Sequence, residues 1–214
     1  NTPEAIPFIL FAFSAGRIPI ALNVMHVLAV DLGTDIVPAL ALGSEPPEPG
    51  VMNRPPRDLK EHVITKSLLL RAYPLLGMMQ SLATMSAFYF MYWMNGYSGQ
   101  WIDLPADGLL YRSATAMALA AVVTTQIGNL FAHRSERISA FRLPIKKNPL
   151  LITGILSELV VIALIVYTPF MNTFIGTGPF PLTYWLFLFA WTPSLLLLDE
   201  MRKAFLMRKE KKHG

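Results

Sequence analysis

Asp31-Leu32-Gly33-Thr34-Asp35 lies inside an otherwise apolar run, residues 18–42, whose only other clearly polar side chains are Asn23 and His26. Two carboxylates four residues apart share a helical face and repel each other. At the centre of a membrane helix each costs roughly 2.5–3.5 kcal/mol on the insertion scale. A bound metal cation is the simplest offset. Hard cations take oxygen ligands; Thr34 supplies another oxygen, and Gly33 lets the backbone approach closely. Gly33 and Pro38 are weak points in a helix, so the run reads as one helix broken over 31–38. A polar hairpin loop at the same place would leave 36–42 as a stub too short to cross a membrane.

Working outward, further apolar runs of membrane-spanning length occupy 67–93, 114–132, 150–168 and 181–198. The run at 3–15 is too short to span alone. The chain starts at Asn1 without an initiator Met, and is read as cut from a longer protein with its first helix truncated. No charged leader or cleavage site makes that start a signal peptide. The expected fold is all-α: a polytopic membrane bundle of six hydrophobic helices, at about 3–15, 18–42, 67–93, 114–132, 150–168 and 181–205. Cytoplasmic loops are expected at 43–66 and 133–149, with a cytoplasmic tail at 206–214, all within one C-terminal membrane domain.

Charge supports this layout. Arg54, Arg57, Lys60 and Lys66 follow the second helix, Arg134, Arg137, Arg142, Lys146 and Lys147 follow the fourth, and six Lys or Arg lie within 202–212. The opposite loops carry Asp103 and Asp107 but no Lys or Arg between 95 and 111, and no charge between 169 and 181. The positive-inside rule puts the basic loops and the C-terminus in the cytoplasm. The positives flank membrane segments instead of forming a groove-tracking patch, which favours contact with the lipid bilayer and argues against nucleic acid. With no cysteine, disulfides, thiolate metal sites and Cys catalysis are excluded. There is no Gly-rich phosphate loop and no Ser/His/Asp set, so this stretch alone is not an enzyme.

Other polar residues at membrane depth are candidates for the same chemistry. Asn1 and Glu4 share a face of the first helix, where Pro3 and Pro7 free backbone carbonyls. Thr125, Gln126 and Asn129 form a strip on the fourth helix that His133 continues, and Glu158 sits in mid-helix beside Ser157. Each has a plainer reading. Glu158 is equally well explained as protonated and hydrogen-bonded to Gln126 or Ser157. Gln126 and Asn129 serve as interhelical contacts worth on the order of 0.6 kcal/mol each. His26 reads as a packed histidine, and Met78, Met79 and the aromatics of 88–93 as packing or lipid-facing material. Asp103 and Asp107 read as solvated loop charges. Asp199 and Glu200 beside Arg202 and Lys203 read as ordinary helix-end pairs.

The stretches Asn1-Thr2-Pro3-Glu4, Val30-Asp31-Leu32-Gly33-Thr34-Asp35-Ile36-Val37-Pro38-Ala39, Met52-Asn53-Arg54-Pro55-Pro56-Arg57 and Leu198-Asp199-Glu200-Met201-Arg202-Lys203 carry a resemblance over essentially the whole chain. It resembles the C-terminal membrane domain of second-class P-type cation-transporting ATPases, the sodium/potassium and calcium pumps. The resemblance implies the last six of ten membrane helices in the plasma membrane. It places Asn1, Glu4, Asp31, Thr34 and Asp35 at transported-cation sites, and Gln126, Asn129 and Glu158 at or near a further sodium site. Asp31 matches the sodium/potassium pumps, where calcium pumps have Asn; Asn129 stands where sodium/potassium pumps have Asp. The cation, Na+, K+ or Ca2+, therefore stays open. ATP and Mg2+ would act only through upstream domains of the same pump; an accessory subunit is undetermined. A secondary cation or proton antiporter and a non-transporting structural membrane module are the competing readings.

Overall fold

The computed structural model describes residues 2–48, 50–53, 56, 62, 64–136 and 138–213, and among these it is helical, without strands. Asn1, and Arg54, Arg57 and Lys60 of the 43–66 loop, lie outside the described residues. The first helix, α1 (Thr2–Phe13), tolerates Pro3 in its opening turn and carries Pro7 inside. It ends in a turn in which Ala15 and Gly16 take positive φ.

The helix α2 (Val24–Ala29) starts at a capping box: the Asn23 side chain accepts the His26 N–H at 2.9 Å, and His26 Nδ1 accepts the Asn23 N–H at 3.2 Å. His26 is fully buried, so it closes a helix end. The ladder then widens into a π-helical stretch, Val30–Thr34, closed by Asp35 N–H donating to the Val30 carbonyl at 3.0 Å. It resumes as α3 (Ile36–Gly43), and the two parts meet at 41°. The break predicted at 31–38 is thus one extra residue in a helical turn.

A second helix is built the same way. Thr65 caps α4 (Lys66–Leu70), a π-helical stretch Arg71–Gly77 takes up Pro74, and α5 (Met78–Trp93) completes a continuous helical rod. At the centre lies α6 (Gly108–His133), most of whose apolar span is buried. Its Ala114, Ala116, Ala118, Ala120 and Ala121 are all fully buried, and such small residues let neighbouring backbones approach. At Gly128 a Cβ would lie 2.4 Å from the Thr192 carbonyl oxygen, so only glycine fits that crossing. Beyond it, α7 (Leu150–Tyr167), α8 (Pro169–Ile175) and α9 (Trp185–His213) form the periphery.

Three helices are long and apolar enough to cross a membrane: Gly108–His133, Leu150–Tyr167 and the helical run Leu182–Arg208. The bent pair Val24–Thr34 and Ile36–Gly43 makes a fourth if counted as one span, while Thr2–Phe13 is a shorter apolar helix. All-helical architecture with three to four candidate spans is therefore what the described residues present.

The two ends differ in chemistry. At one, Arg17 grips Asp103 through two bonds of 3.0 and 2.7 Å on the exposed surface. That contact holds the Asp103 carboxyl below its ordinary pKa. Asp103 is thus paired, where sequence alone suggested simple solvation. Nearby, Arg112 donates to the Thr177 and Asn172 carbonyls at 3.0 and 2.6 Å, sewing α8 and the turn after it to the start of α6. At the other end Arg134 pairs with Glu45 at 2.7 Å. There Asp199 is fully buried and takes Arg71 at 3.0 Å, Arg202 at 2.8 Å and Lys203 at 3.0 Å. Arg71 and Lys203 also donate to the Ala132 carbonyl at 2.9 and 3.2 Å, capping the C-terminal end of α6. The supposed helix-end pairs are a buried ionic junction of three helical segments.

Candidate functional site

A cavity of about 260 Å³ opens between α1, α3, α5, α6 and α7, where the helix breaks leave the bundle imperfectly filled. Glu4 enters from α1, Asp35 from the junction between the π-helical stretch and α3, and Glu158 from the middle of α7. From α6, Gln126, Asn129 and His133 line it at i, i+3 and i+7, one helical face. Pro38 supports the wall by packing on Gly154, where a Cβ would lie 3.2 Å from the proline Cα. No Lys or Arg lines the cavity.

The hydrogen bonding of this wall is incomplete in one direction. Asn129 donates its amide to Gln80 Oε1 at 3.1 Å, and Gln80 donates its own to the Val122 carbonyl at 3.3 Å. Gln126 Oε1, Asn129 Oδ1 and Glu158 Oε2 are buried with no hydrogen-bond partner. Buried polar groups are normally satisfied, and each of these three atoms is an acceptor. Carboxylates add to the demand: Asp35 stands within electrostatic reach of Glu4, Asp31 and Glu158. Among the described residues no three His, Cys, Asp or Glu side chains converge closely enough to hold a metal ion by themselves.

Five of the eight residues singled out from sequence, Glu4, Asp35, Gln126, Asn129 and Glu158, meet at this cavity. Asn1 lies outside the described residues. Thr34 is buried behind the wall, where its hydroxyl donates to the Val30 carbonyl at 3.0 Å and contacts Asp35 Oδ1 at 3.3 Å. Asp31 is half-buried and does not line the cavity. The π-helical stretch Val30–Thr34 lies between the two parts of the bent helix, and of the two acids only Asp35, at its end, reaches the cavity. Thr125 turns back to its own helix, bonding the Ala121 carbonyl at 2.6 Å, and Ser157 bonds the Gly154 carbonyl at 2.7 Å rather than Glu158. Gln80 was not foreseen; its signal was being the one carboxamide in 67–93.

Residues 19–205 match the sequence profile of the family described as "Cation transporting ATPase, C-terminus". The chain belongs to this family. It is similar to the sodium/potassium-transporting ATPase subunit alpha-2 of Rattus norvegicus, 29% identical over 233 aligned positions that cover 97% of this chain and 22% of the relative. The alpha-4 subunit of Rattus norvegicus is 29% identical over 98% of the chain and 22% of its own length. The alpha-2 subunit of Gallus gallus is 29% identical over 97% and 22%. The chain thus spans about a fifth of the length of these relatives. The chain is a C-terminal membrane part of a cation-transporting ATPase, and among the described residues the acceptor-rich cavity is lined in part by two candidate spans, Gly108–His133 and Leu150–Tyr167.

Proposed function

We propose that this domain holds the transported cation of an ATP-driven pump in the cavity bounded by Glu4, Asp35, Gln126, Asn129 and Glu158. The observation that carries the reading is the set of three buried acceptor oxygens, on Gln126, Asn129 and Glu158, around a cavity lined by three carboxylates and by no Lys or Arg. A partly dehydrated Na+, K+ or Ca2+ satisfies those oxygens and offsets the mutual repulsion of the carboxylates. Thr34 and Asp31 act on Asp35 from behind, the first by its hydroxyl and the second by its charge. Asn1, three residues before Glu4 in the sequence and outside the described residues, is proposed for the same ligand set.

ATP and Mg2+ belong to upstream domains of the full-length protein, whose phosphorylation cycle alternates access to the cavity. On this reading α1 and the rod Lys66–Trp93 cross the membrane with the other four spans. Six crossings then put the Arg134, Asp199 and C-terminal end in the cytoplasm of the plasma membrane.

The test is Asp35→Asn and Glu158→Gln in the full-length protein, scored by cation-stimulated ATP hydrolysis. Each is expected to weaken the apparent cation affinity at least about tenfold, equivalent to about 1.4 kcal/mol of lost coordination. Unchanged cation dependence in both variants would sink the proposal, and cation transport that proceeds without ATP would replace the pump by an exchanger.

A further inference from the structure

Most small polar side chains of the rod Lys66–Trp93 are turned inward on their own helix. Ser81, Thr84 and Ser86 donate to the Gly77, Gln80 and Ala83 carbonyls at 2.8, 2.9 and 2.9 Å. Gln80 behaves differently. It is only 5% exposed, lines the acceptor-rich cavity, and crosses to α6 with both ends of its carboxamide. Its Nε2 donates to the Val122 carbonyl at 3.3 Å, and its Oε1 accepts Asn129 Nδ2 at 3.1 Å. These two partners lie on one face of α6, about two turns apart.

The direction of these bonds is set by the backbone. A carbonyl oxygen only accepts, and the Val122 carbonyl also takes the Thr125 hydroxyl at 2.9 Å. Gln80 must therefore turn its NH2 group to Val122 and its oxygen to Asn129. Faced with an oxygen, Asn129 must present its own NH2 group, which leaves Asn129 Oδ1 buried and without a partner. Reversing either carboxamide, or both together, sets oxygen against oxygen at Val122 or at Asn129. The two ends of an asparagine amide are nearly the same shape but opposite in polarity. An oxygen turned to the cavity attracts a cation; an NH2 group in its place repels one.

We infer that Gln80 is a positioning residue for the cation: it passes the polarity of the α6 backbone to Asn129 and so keeps Asn129 Oδ1, not Nδ2, available to the cavity. The inference rests on the cation site proposed above. The test measures apparent cation affinity from ATP hydrolysis by the full-length protein, stimulated in turn by Na+, K+ and Ca2+. Asn129→Ala is made in three backgrounds: with Gln80 retained, with Gln80→Glu and with Gln80→Met. Glutamate keeps an oxygen for Asn129 to donate to, whereas methionine fills similar space without one. Asn129→Ala is expected to weaken the affinity about fivefold with Gln80 retained and with Gln80→Glu, and less than about twofold with Gln80→Met, where the oxygen is no longer held. Gln80→Met by itself is expected to lower the apparent affinity more than the rate at saturating cation, a split that a general packing defect would not produce.

An equal cost of Asn129→Ala in all three backgrounds overturns the inference, because Gln80 would then pack or bind the cation independently of Asn129. A cost that disappears with Gln80→Glu overturns it too, and this comparison stands alone if Gln80→Met yields no folded protein. Asn129→Ala without any effect on affinity removes the oxygen that Gln80 is inferred to hold. An error confined to Gln80 leaves the effects of Asp35→Asn and Glu158→Gln in place. A failure of the pump reading shows instead as cation dependence surviving those two changes as well.

Discussion

The Asp199 carboxylate receives Arg71, Arg202 and Lys203 at 3.0, 2.8 and 3.0 Å while fully buried. The Asp103 carboxylate pairs with Arg17 at a similar 2.7 Å but remains more than half exposed. Similar contacts carry different weight here, because solvent screens the second pair and leaves the first unscreened. Asp199→Asn strands Arg71 and Lys203 in a buried site and is expected to destabilise the protein by about 3–5 kcal/mol. Asp103→Asn is expected to leave stability unchanged. Thermal unfolding of the two variants of the full-length protein in detergent checks this; equal melting temperatures would show that the buried junction contributes nothing. The partners of Asp199 explain why its role was not legible in sequence. Arg202 and Lys203 are its helical neighbours, but Arg71 is 128 residues away.

At the scale of an element, the decisive feature is the π-helical stretch Val30–Thr34. An α-helix would stack Asp31 and Asp35, and the repulsion anticipated between them assumed that spacing. In the structure this turn is widened by one residue, with Asp35 at the cavity and Asp31 half-buried outside it. Deleting Leu32, which is 67% exposed and gives up little packing, is expected to restore an α-helical turn. Asp35 would then lose its aim into the cavity, and cation-stimulated ATP hydrolysis would fall while a protein of normal size-exclusion behaviour is still made. Full retention of the cation response would show that the stretch does not position Asp35. The break itself was legible from Gly33 and Pro38. Its π-helical form was not, since the same residues permit a kink, a loop or a widened turn.

At the scale of the whole molecule, the ends of the bundle are sorted. Arg17, Asp103, Arg112 and the 168–181 loop gather at one, and Glu45, Arg134, Asp199 and Lys203 at the other. Of the long helices, α6 is 83% buried over its apolar window, against 33% for α7 and 17% for the Leu182–Arg208 run. The outer two thus offer most of their apolar surface to lipid or to further helices of a longer chain. The proposed sidedness predicts that a membrane-impermeant maleimide labels Ser98→Cys from outside intact cells, whereas Lys146→Cys is labelled only after permeabilisation. The segment has no cysteine of its own; the unsubstituted full-length protein sets the background. Labelling of Lys146→Cys in intact cells would invert the topology.

The residues by themselves determined that apolar runs of spanning length alternate with basic and non-basic loops, that carboxylates and carboxamides sit within those runs, and that the chain resembles a pump family. These are local properties, set by hydropathy over about 20 residues and by single side chains that cost energy at depth. Only the tertiary structure decided which polar groups meet. It brought Glu4, Asp35 and Glu158 to one cavity, added Gln80 through its bond to Asn129, and set Asp31 aside. It also joined Arg71 to Asp199. Helical periodicity states which residues share a face; which face meets which depends on helix rotation, on the widened turns, and on the close crossings at Gly128 and Gly154.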